Sequence, residues 1–528
     1  MRRWNGWGDD AVHLHLPESA LKYLRERLGS AEAPRDASLD EVAATVPASR
    51  LPDHPLLDTS PRTRVLHARG QSLPDWLALR FGRIDRFPDA VAFPESSEDV
   101  RDLLDFARAA NACVIPYGGG TSVAGHVNPP DGVERPVLTV SVARMRDLLD
   151  LDEQSRLATF RAGVAGPDLE AQLRTRGYTL GHFPQSFEYS TLGGWIVTRS
   201  SGQQSLGYGR IESLFAGGRI ETPAGTLRIP TVPASAAGLD IREMILGSEG
   251  RIGIVTEATV RVRPLPKHES FHGWFFPSWQ HAEAAVRALA HADLELSMLR
   301  LSNPTETFTT LRLAGSGTLM TAMNGFLRLR GAGDGKCLLL AGVTGDEART
   351  SATLERAREI AAEHRGIYFG TQLGKRWERN RFRGVYLRNA LWEHGYAVDT
   401  VETAVDWPRV PAMMEALESA ARGAFGSEAI HAYTHLSHVY AQGSSVYSTF
   451  IFRLAPSYEE NLSRWKALKS ACSEAIVALR GTITHQHGIG VDHKPYLKAE
   501  KGELGIGAMH ALFRDFDPDG IMNPGKLC

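Results

Sequence analysis

Cysteine is scarce in this chain. Four occur among 528 residues, at Cys113, Cys337, Cys472 and Cys528, and none forms a Cys-x-x-Cys pair, so neither a disulfide framework nor a zinc ribbon is available. No uninterrupted apolar run reaches the ~18 residues that a membrane-spanning helix needs. An excess of one charge is missing too. The 61 acidic and 59 basic residues leave a formal net charge of −2, and with it no overall field that would gather nucleic acid or anionic membrane. The start, Met1-Arg2-Arg3-Trp4-Asn5-Gly6-Trp7, has no apolar stretch behind its arginines and makes a poor export signal. The end, Lys526-Leu527-Cys528, is not a Ser-Lys-Leu address. These absences predict a cytoplasmic protein with small-molecule partners, no nucleic acid and no transmembrane segment.

Length is plentiful, with 43% of residues hydrophobic, and single cores stop growing well short of such a chain. Residues 1–85 are polar and irregular and read as a helical N-terminal arm. From there to residue 266 the texture changes. Val91–Pro94 reads as a strand, Ser97 as the cap of a helix Glu98–Ala110 with Val100, Leu103, Leu104 and Ala107 on one face, and Cys113–Pro116 as a second strand. Extended runs follow at Val137–Val140, Leu157–Ala162 and Gly253–Val262, the last with a period of two. The stretch Pro264–Lys267 marks a boundary. Beyond it, over 267–500, helical segments (Trp279–Ala292, Asp346–His364, Val410–Arg422, Glu459–Arg480) alternate with strands at Gly273–Phe276, Cys337–Thr344 and Val446–Arg453. The class is α+β, with residues 501–528 as a C-terminal tail.

The strand Cys113–Pro116 runs straight into Tyr117-Gly118-Gly119-Gly120-Thr121-Ser122. Closely spaced glycines turn tightly and let a phosphate approach main-chain N–H groups, so an anion is the natural guest. The loop is not a Walker A motif, because His126 and Val127 stand where Lys and Ser/Thr are required. It is not a Rossmann fingerprint either, for want of the third glycine. Two further segments are dense in hydroxyls and glycines: Phe183-Pro184-Gln185-Ser186-Phe187-Glu188-Tyr189-Ser190-Thr191-Leu192-Gly193-Gly194, continuing to Thr198-Arg199-Ser200-Ser201-Gly202, and Gly247-Ser248-Glu249-Gly250-Arg251-Ile252-Gly253-Ile254-Val255. Such segments can hydrogen-bond a pyrophosphate, a ribityl chain and a flavin edge.

The succession PYGGGTSV, TLGGW and GSEGRIGIVTEATVRVRP resembles the FAD-binding domain of the vanillyl-alcohol oxidase flavoproteins, the PCMH type. Trp4-Asn5-Gly6-Trp7-Gly8, Gly181-His182-x-Pro184, Ser190-Thr191-x-Gly193-Gly194-Trp195, Tyr386-Leu387-Arg388 and the terminal Asn523-Pro524-Gly525-Lys526 narrow it. Over nearly the whole chain these are similar to the alkyldihydroxyacetonephosphate synthases, flavoenzymes of ether-lipid synthesis. The resemblance implies a two-lobed FAD-binding domain at 86–266, an α+β cap at 267–500 and a tail returning to the FAD domain. It also implies a transfer in which a fatty alcohol replaces the acyl group of acyl-dihydroxyacetone phosphate, with flavin N5 holding the three-carbon fragment.

Carried over by position, FAD contacts fall on Pro116, Tyr117, Gly118, Gly119, Gly120, Thr121 and Ser122, and on Pro184, Gln185, Ser186, Phe187, Glu188, Tyr189 and Ser190. They fall as well on Thr198, Arg199, Ser200 and Ser201, and on Glu249, Gly250, Arg251, Ile252, Gly253, Ile254 and Val255. Some relatives attach flavin to a histidine inside the glycine loop; Thr121-Ser122 stands there, so the FAD is expected to be non-covalent. Tyr447 corresponds to the acid/base tyrosine, Arg388 to the arginine that holds the substrate phosphate, and Arg300 to another active-site arginine. The synthases carry three consecutive histidines where this chain has His485-Gln486-His487. If that stretch is extended, His485 and His487 share a face and both imidazoles reach the site.

A second reading is oxidation of a D-2-hydroxy acid by a related dehydrogenase, and a third is a non-catalytic flavin sensor. Metal-using dehydrogenases of this kind place a glutamate before His-Gly-Ile-Gly; Gln486 here is a poorer ligand, and no metal is expected despite the grouping of His431, His435 and His438. The expected substrate is small or lipid-like and anionic. Peripheral membrane contact and a homodimer are compatible with the sequence.

Overall fold

The computed structural model describes residues 2–313 and 318–528. A first sheet is made of β1 (Leu57–Asp58), β2 (Ala90–Ala92), β3 (Cys113–Tyr117) and β4 (Val137–Ser141), in the order β1-β2-β4-β3, with β2 and β3 parallel to β4. Its inner strands β2 and β4 are buried at every residue, because both faces of the sheet are covered there. The helix Ser97–Ala109 covers one face with Val100, Leu103, Leu104 and Ala107, all fully buried. Each Val or Leu of that stripe contributes on the order of 1.5–3 kcal/mol.

The cap of this helix is Ser96, one residue earlier than the sequence reading placed it. Ser96 has an acid three residues on, and the two side chains close a reciprocal box: Asp99 N donates to Ser96 Oγ and Ser96 N to the Asp99 carboxylate. Ser97 has Val100 at the corresponding position. Its hydroxyl instead donates to Thr256 Oγ1 at 2.9 Å, tying the helix to the next sheet.

The second lobe comprises β5 (Leu148–Asp152), β6 (Leu157–Arg161), β7 (Tyr178–Thr179), β8 (Phe215–Thr222), β9 (Gly225–Ile229), β10 (Ile254–Arg261) and β11 (Arg263–Pro264). Five of these form an antiparallel sheet, β5-β6-β10-β8-β9, and β7 pairs separately with β11. The period of two in β10 is real: Ile254, Thr256, Ala258 and Val260 are buried, while Glu257, Thr259 and Arg261 reach partial exposure.

The remaining strands are β12 (His268–Phe276), β13 (Leu296–Ser302), β14 (Cys337–Gly345), β15 (Ile367–Tyr368), β16 (Tyr396–Asp406), β17 (His431–Leu436) and β18 (Gly443–Arg453). They build one seven-stranded antiparallel sheet in the order β15-β12-β14-β13-β17-β18-β16. Alternation of side chains makes this sheet two-faced. Leu299, Leu301, Ala432, Leu436, Val446, Phe450 and Phe452 enter the core; Arg300, Ser302, Tyr433, His435, Tyr447 and Thr449, interleaved with them, line a cavity.

The ends of the chain are woven into these parts. Trp7 belongs to the main core, and Leu24 and Leu28 pack against Leu391, Tyr396 and Ile451 of the capping region. The helix Leu497–Phe516, kinked at Gly502 (φ 68°), runs across the boundary drawn at residue 500. The tail then returns to the first sheet, where Val114 N donates to Ile521 O and Asn523 N to Val114 O, both at 2.8 Å.

Phe450 is fully buried. Phe450→Ala is expected to remove about 3–5 kcal/mol from the seven-stranded region, seen as earlier loss of its structure in urea. Leu239→Ala, at a side chain 82% exposed, should stay within about 0.5 kcal/mol of the parent.

Candidate active site

A cavity of about 670 Å³ opens between the two lobes and the inner face of the seven-stranded sheet. All seven residues from Pro116 to Ser122 line it. The glycines are required by close approach: a Cβ on Gly119 would lie 1.7 Å from Tyr189 O, and Gly120 has φ +60°. Among the described residues no acceptor takes the N–H groups of Gly118, Gly119 or Gly120. The loop therefore presents free donors to the cavity, as an anion cradle must. Pro184, Gln185, Ser186, Ser190, Thr198, Ser200, Ser201, Glu249, Gly250, Gly253, Ile254 and Val255 line the same space.

Six expected contacts do not. Phe187 stacks on Phe382 (4.7 Å between centroids), Glu188 accepts from Tyr386 OH at 3.0 Å, and Tyr189 meets the edge of Trp7. Arg199 pairs with Glu243, Arg251 donates to Met522 O in the tail, and Ile252 is core. They brace the cradle from behind.

The segment 482–491 is held from two sides. Glu402 of β16, buried opposite Tyr447 in the sheet register, accepts from His485 N (2.8 Å), Gln486 N and His487 N (both 3.2 Å) and from Thr484 Oγ1. Glu249 of the FAD lobe accepts from Ile489 N (2.5 Å) and Gly490 N (2.8 Å). Burial opposes ionisation of Glu402, but His487 and the converging donors outweigh it and hold its carboxyl below the ordinary value.

Wrapped around a carboxylate in this way, the segment is a turn, not a strand. Alternation fails there, and the outcome differs from the expectation. Gln486 and His487 line the cavity and His485 does not. His485 Nε2 lies 2.6 Å from both Arg210 Nη1 and Tyr440 OH, on the far side of the turn. Arginine can only donate, so Nε2 is the acceptor and the ring proton sits on Nδ1. Burial, with His438 and Arg210 nearby, drives the His485 pKa well down.

Tyr447 donates to Thr400 Oγ1 (3.2 Å), stacks on His435 (4.8 Å, 20°) and meets His487 edge-on (5.7 Å). Burial, reinforced by Glu402 and Asp399, pushes its phenol up to about 12, so it is a proton donor at neutral pH. Arg300 is committed: Nη2 donates to Glu306 at 2.7 Å and Nη1 to His435 Nε2 at 3.0 Å, while His435 Nδ1 lies 3.1 Å from the same carboxylate. Burial works against ionised Glu306, yet His435 and Arg300 hold its carboxyl at about 2. Arg388 is different. It donates to Gln71 O at 2.5 Å and rests 4.4 Å over the Trp76 ring, but its Nη2 has no partner. Glu306, Glu402 and Lys469, also at the site, have no motif of their own in the sequence; only the fold brings them in. One limb of the cavity is apolar, walled by Leu311, Leu338, Leu340, Leu373 and Trp377.

A two-lobed glycine-loop domain facing an antiparallel sheet with a tyrosine and a histidine above the cradle defines an FAD-linked flavoprotein. Residues 88–229 match the family model "FAD binding domain", and residues 265–527 match "FAD linked oxidases, C-terminal domain". Over 99% of its length the chain is 30% identical to alkyldihydroxyacetonephosphate synthase of Trypanosoma brucei brucei, covering 92% of that protein. It is 29% identical to the synthase of Dictyostelium discoideum, covering 93%. A solved structure of an alkyldihydroxyacetonephosphate synthase superposes with a TM-score of 0.85 at 27% identity, covering 99% of this chain and 98% of that one. The chain belongs to the alkyldihydroxyacetonephosphate synthase family.

Gly119→Ala, with its Cβ forced against Tyr189 O, is expected to yield colourless protein, checked by the flavin absorbance per chain after purification. Glu306 supplies a pH test. Its folded pKa of about 2 lies below the ordinary glutamate value of 4.5, so its stabilising contribution is complete above the unfolded value and drains away as pH falls toward 2. Glu306→Gln should flatten that acid limb in denaturation measured from pH 6 down to about pH 3; an unaltered limb would refute the pairing.

Proposed function

We propose that this protein is an FAD-dependent transferase of the alkyldihydroxyacetonephosphate synthase type, exchanging the acyl group of acyl-dihydroxyacetone phosphate for a fatty alcohol. One observation carries the reading: a single cavity joins a polar chamber, where the Arg388 cation stands with Tyr447 and His487, to an apolar limb at Leu311, Leu338 and Leu340. A substrate with a phosphate at one end and a long chain at the other suits that division; a short hydroxy acid leaves the limb without purpose.

FAD would be held without a covalent bond, its diphosphate on the N–H groups of Gly118–Gly120 and its polar chain along Ser186, Ser190, Ser200 and Ser201. When bound it supplies an electron-accepting ring beside the carbon whose oxygen substituent is exchanged, with no net oxidation. Arg388 places the phosphate, since a planar permanent cation suits it. Tyr447 delivers and recovers a proton, and His487, held by Glu402, stands edge-on to it as the next acceptor. The exchange balances: the alcohol hydroxyl loses its proton, and the departing carboxylic acid takes one up.

We place the protein in the cytoplasm, in peripheral contact with a membrane that supplies the long chains. Among the described residues no helix is long and apolar enough to cross a membrane. In the helix Thr318–Leu329, however, Leu327 packs into the cluster that walls the apolar limb, while Leu329 (88%) and Phe326 (45%) are exposed beside Arg328 and Arg330.

Yellow protein supplied with acyl-dihydroxyacetone phosphate and hexadecanol should produce the ether and release the fatty acid; absence of the ether removes the proposal. Tyr447→Phe should keep its flavin and lose about 10²–10⁴-fold in turnover, the ordinary range for a proton-transferring side chain. Anaerobic mixing with D-lactate, glycolate or D-2-hydroxyglutarate should leave the flavin spectrum oxidised, and rapid bleaching by any of them would favour a dehydrogenase instead.

A further inference from the structure

Arg388 is not the sole uncommitted cation in the chamber. Lys469, on the helix Tyr458–Ala478, lines the same cavity and is 7% exposed. Among the described residues its one hydrogen bond runs from Nζ to Thr400 O at a long 3.3 Å. Among the described residues no carboxylate forms an ion pair with Lys469 or with Arg388, whereas Arg300 has Glu306. Three carboxylates lie in the surroundings. Asp75, which accepts from Ser72 Oγ and Asn128 Nδ2 at 2.7 Å each, raises the affinity of Arg388 for its proton together with Asp399. Asp399 lines the chamber and accepts from Trp465 Nε1 at 2.9 Å. Asp492 leaves Oδ2 without a partner, and burial pushes its carboxyl up to about 7, so near neutral pH it is only a partial counter-charge.

Buried charge without a partner is costly, and two such cations beside one cavity make a site for an anion. Position sharpens the point. Thr400 links Lys469 to the reacting end of the chamber, because its carbonyl takes the ammonium and its hydroxyl takes Tyr447 OH at 3.2 Å. A carboxylate would need one cation. A phosphate monoester, with a charge of about −1.5 to −2 at neutral pH, needs two.

We propose that Lys469 is a substrate-binding residue, the second cation of a phosphate seat shared with Arg388, placed so that the three-carbon unit attached to that phosphate lies against Tyr447. The inference rests on the transferase reading above and adds a residue to it.

The test is titration of the FAD-loaded protein with dihydroxyacetone phosphate and, separately, with dihydroxyacetone, followed by calorimetry and by the flavin spectrum. Lys469→Met should raise the Kd for the phosphate about ten- to a hundredfold, the range for a lost charge-assisted bond, and leave the weak binding of dihydroxyacetone unchanged. Lys469→Arg should recover most of the loss. Lys466→Met, exposed on the same helix, should match the parent. A parental Kd in Lys469→Met overturns the proposal, most plainly if the flavin spectrum changes instead, which would assign the ammonium to the ring. If Lys469→Met fails to hold FAD, Lys469→Arg decides: a Kd changed by about threefold or more for the phosphate alone supports the seat, and equal changes for both ligands overturn it. A parent protein that binds no dihydroxyacetone phosphate overturns the transferase reading itself, a result distinct from an intact parent affinity that Lys469→Met does not touch.

Discussion

Two buried carboxylates from opposite sides of the molecule grip one turn. Glu402 gathers the N–H groups of residues 485–487 from the seven-stranded sheet, and Glu249 gathers those of 489 and 490 from the FAD lobe. Each buried N–H left without an acceptor costs about 1–3 kcal/mol, so neither glutamate can leave without the turn reorganising. Glu249 reaches its partners from a left-handed backbone (φ 52°), between Gly247 and Gly250, which are also at positive φ. Asn523 of the tail donates to Glu249 O and to His126 O. The glycine-rich segment read as a cofactor motif is thus equally a clamp, fixing the height of Gln486 and His487 above the cradle.

Charge in the chamber is divided on the same plan. Arg300, Glu306 and His435 neutralise one another and form a rigid wall behind Tyr447, whose ring lies on His435. Among the described residues Arg388 and Lys469 have no carboxylate ion-pair partner of this kind. Burial, with Glu402 and Asp399 nearby, holds the Tyr447 phenol at about 12, so it stays protonated at neutral pH. The phenol and the cations are separate groups in separate environments, which lets each be tuned by its own surroundings.

The elements legible in the sequence were those fixed by near neighbours. Gly118–Gly120 follow a short apolar strand, and both loop and strand are there; the period of two in Ile254–Arg261 and the apolar stripe of Ser97–Ala109 are where the residues put them. Ser96 in place of Ser97 is an error of one residue between two serines, decided by which has an acid three positions on. His485 is a deeper miss. Alternation assumes an extended chain, and nothing local in Thr484-His485-Gln486-His487 announces that Glu402, eighty-odd residues earlier, bends it into a turn. Glu306 and Lys469 are missed for a similar reason: a glutamate in a helix after Pro304 and a lysine in a long amphipathic helix read as ordinary surface until β13, β17 and β16 bring their partners to them.

The cavity is bounded by pieces that no single domain owns. The cradle comes from the first sheet, Ser186, Ser190, Ser200 and Ser201 from the connection into the second, Glu249, Gly250, Gly253, Ile254 and Val255 from the turn that leads into its central strand and the start of that strand, Tyr447 and His487 from the cap, and Asn523 from the tail. A ligand that fills such a space touches every part at once and binds the folded chain alone, so it stabilises in proportion to the logarithm of its concentration over its Kd.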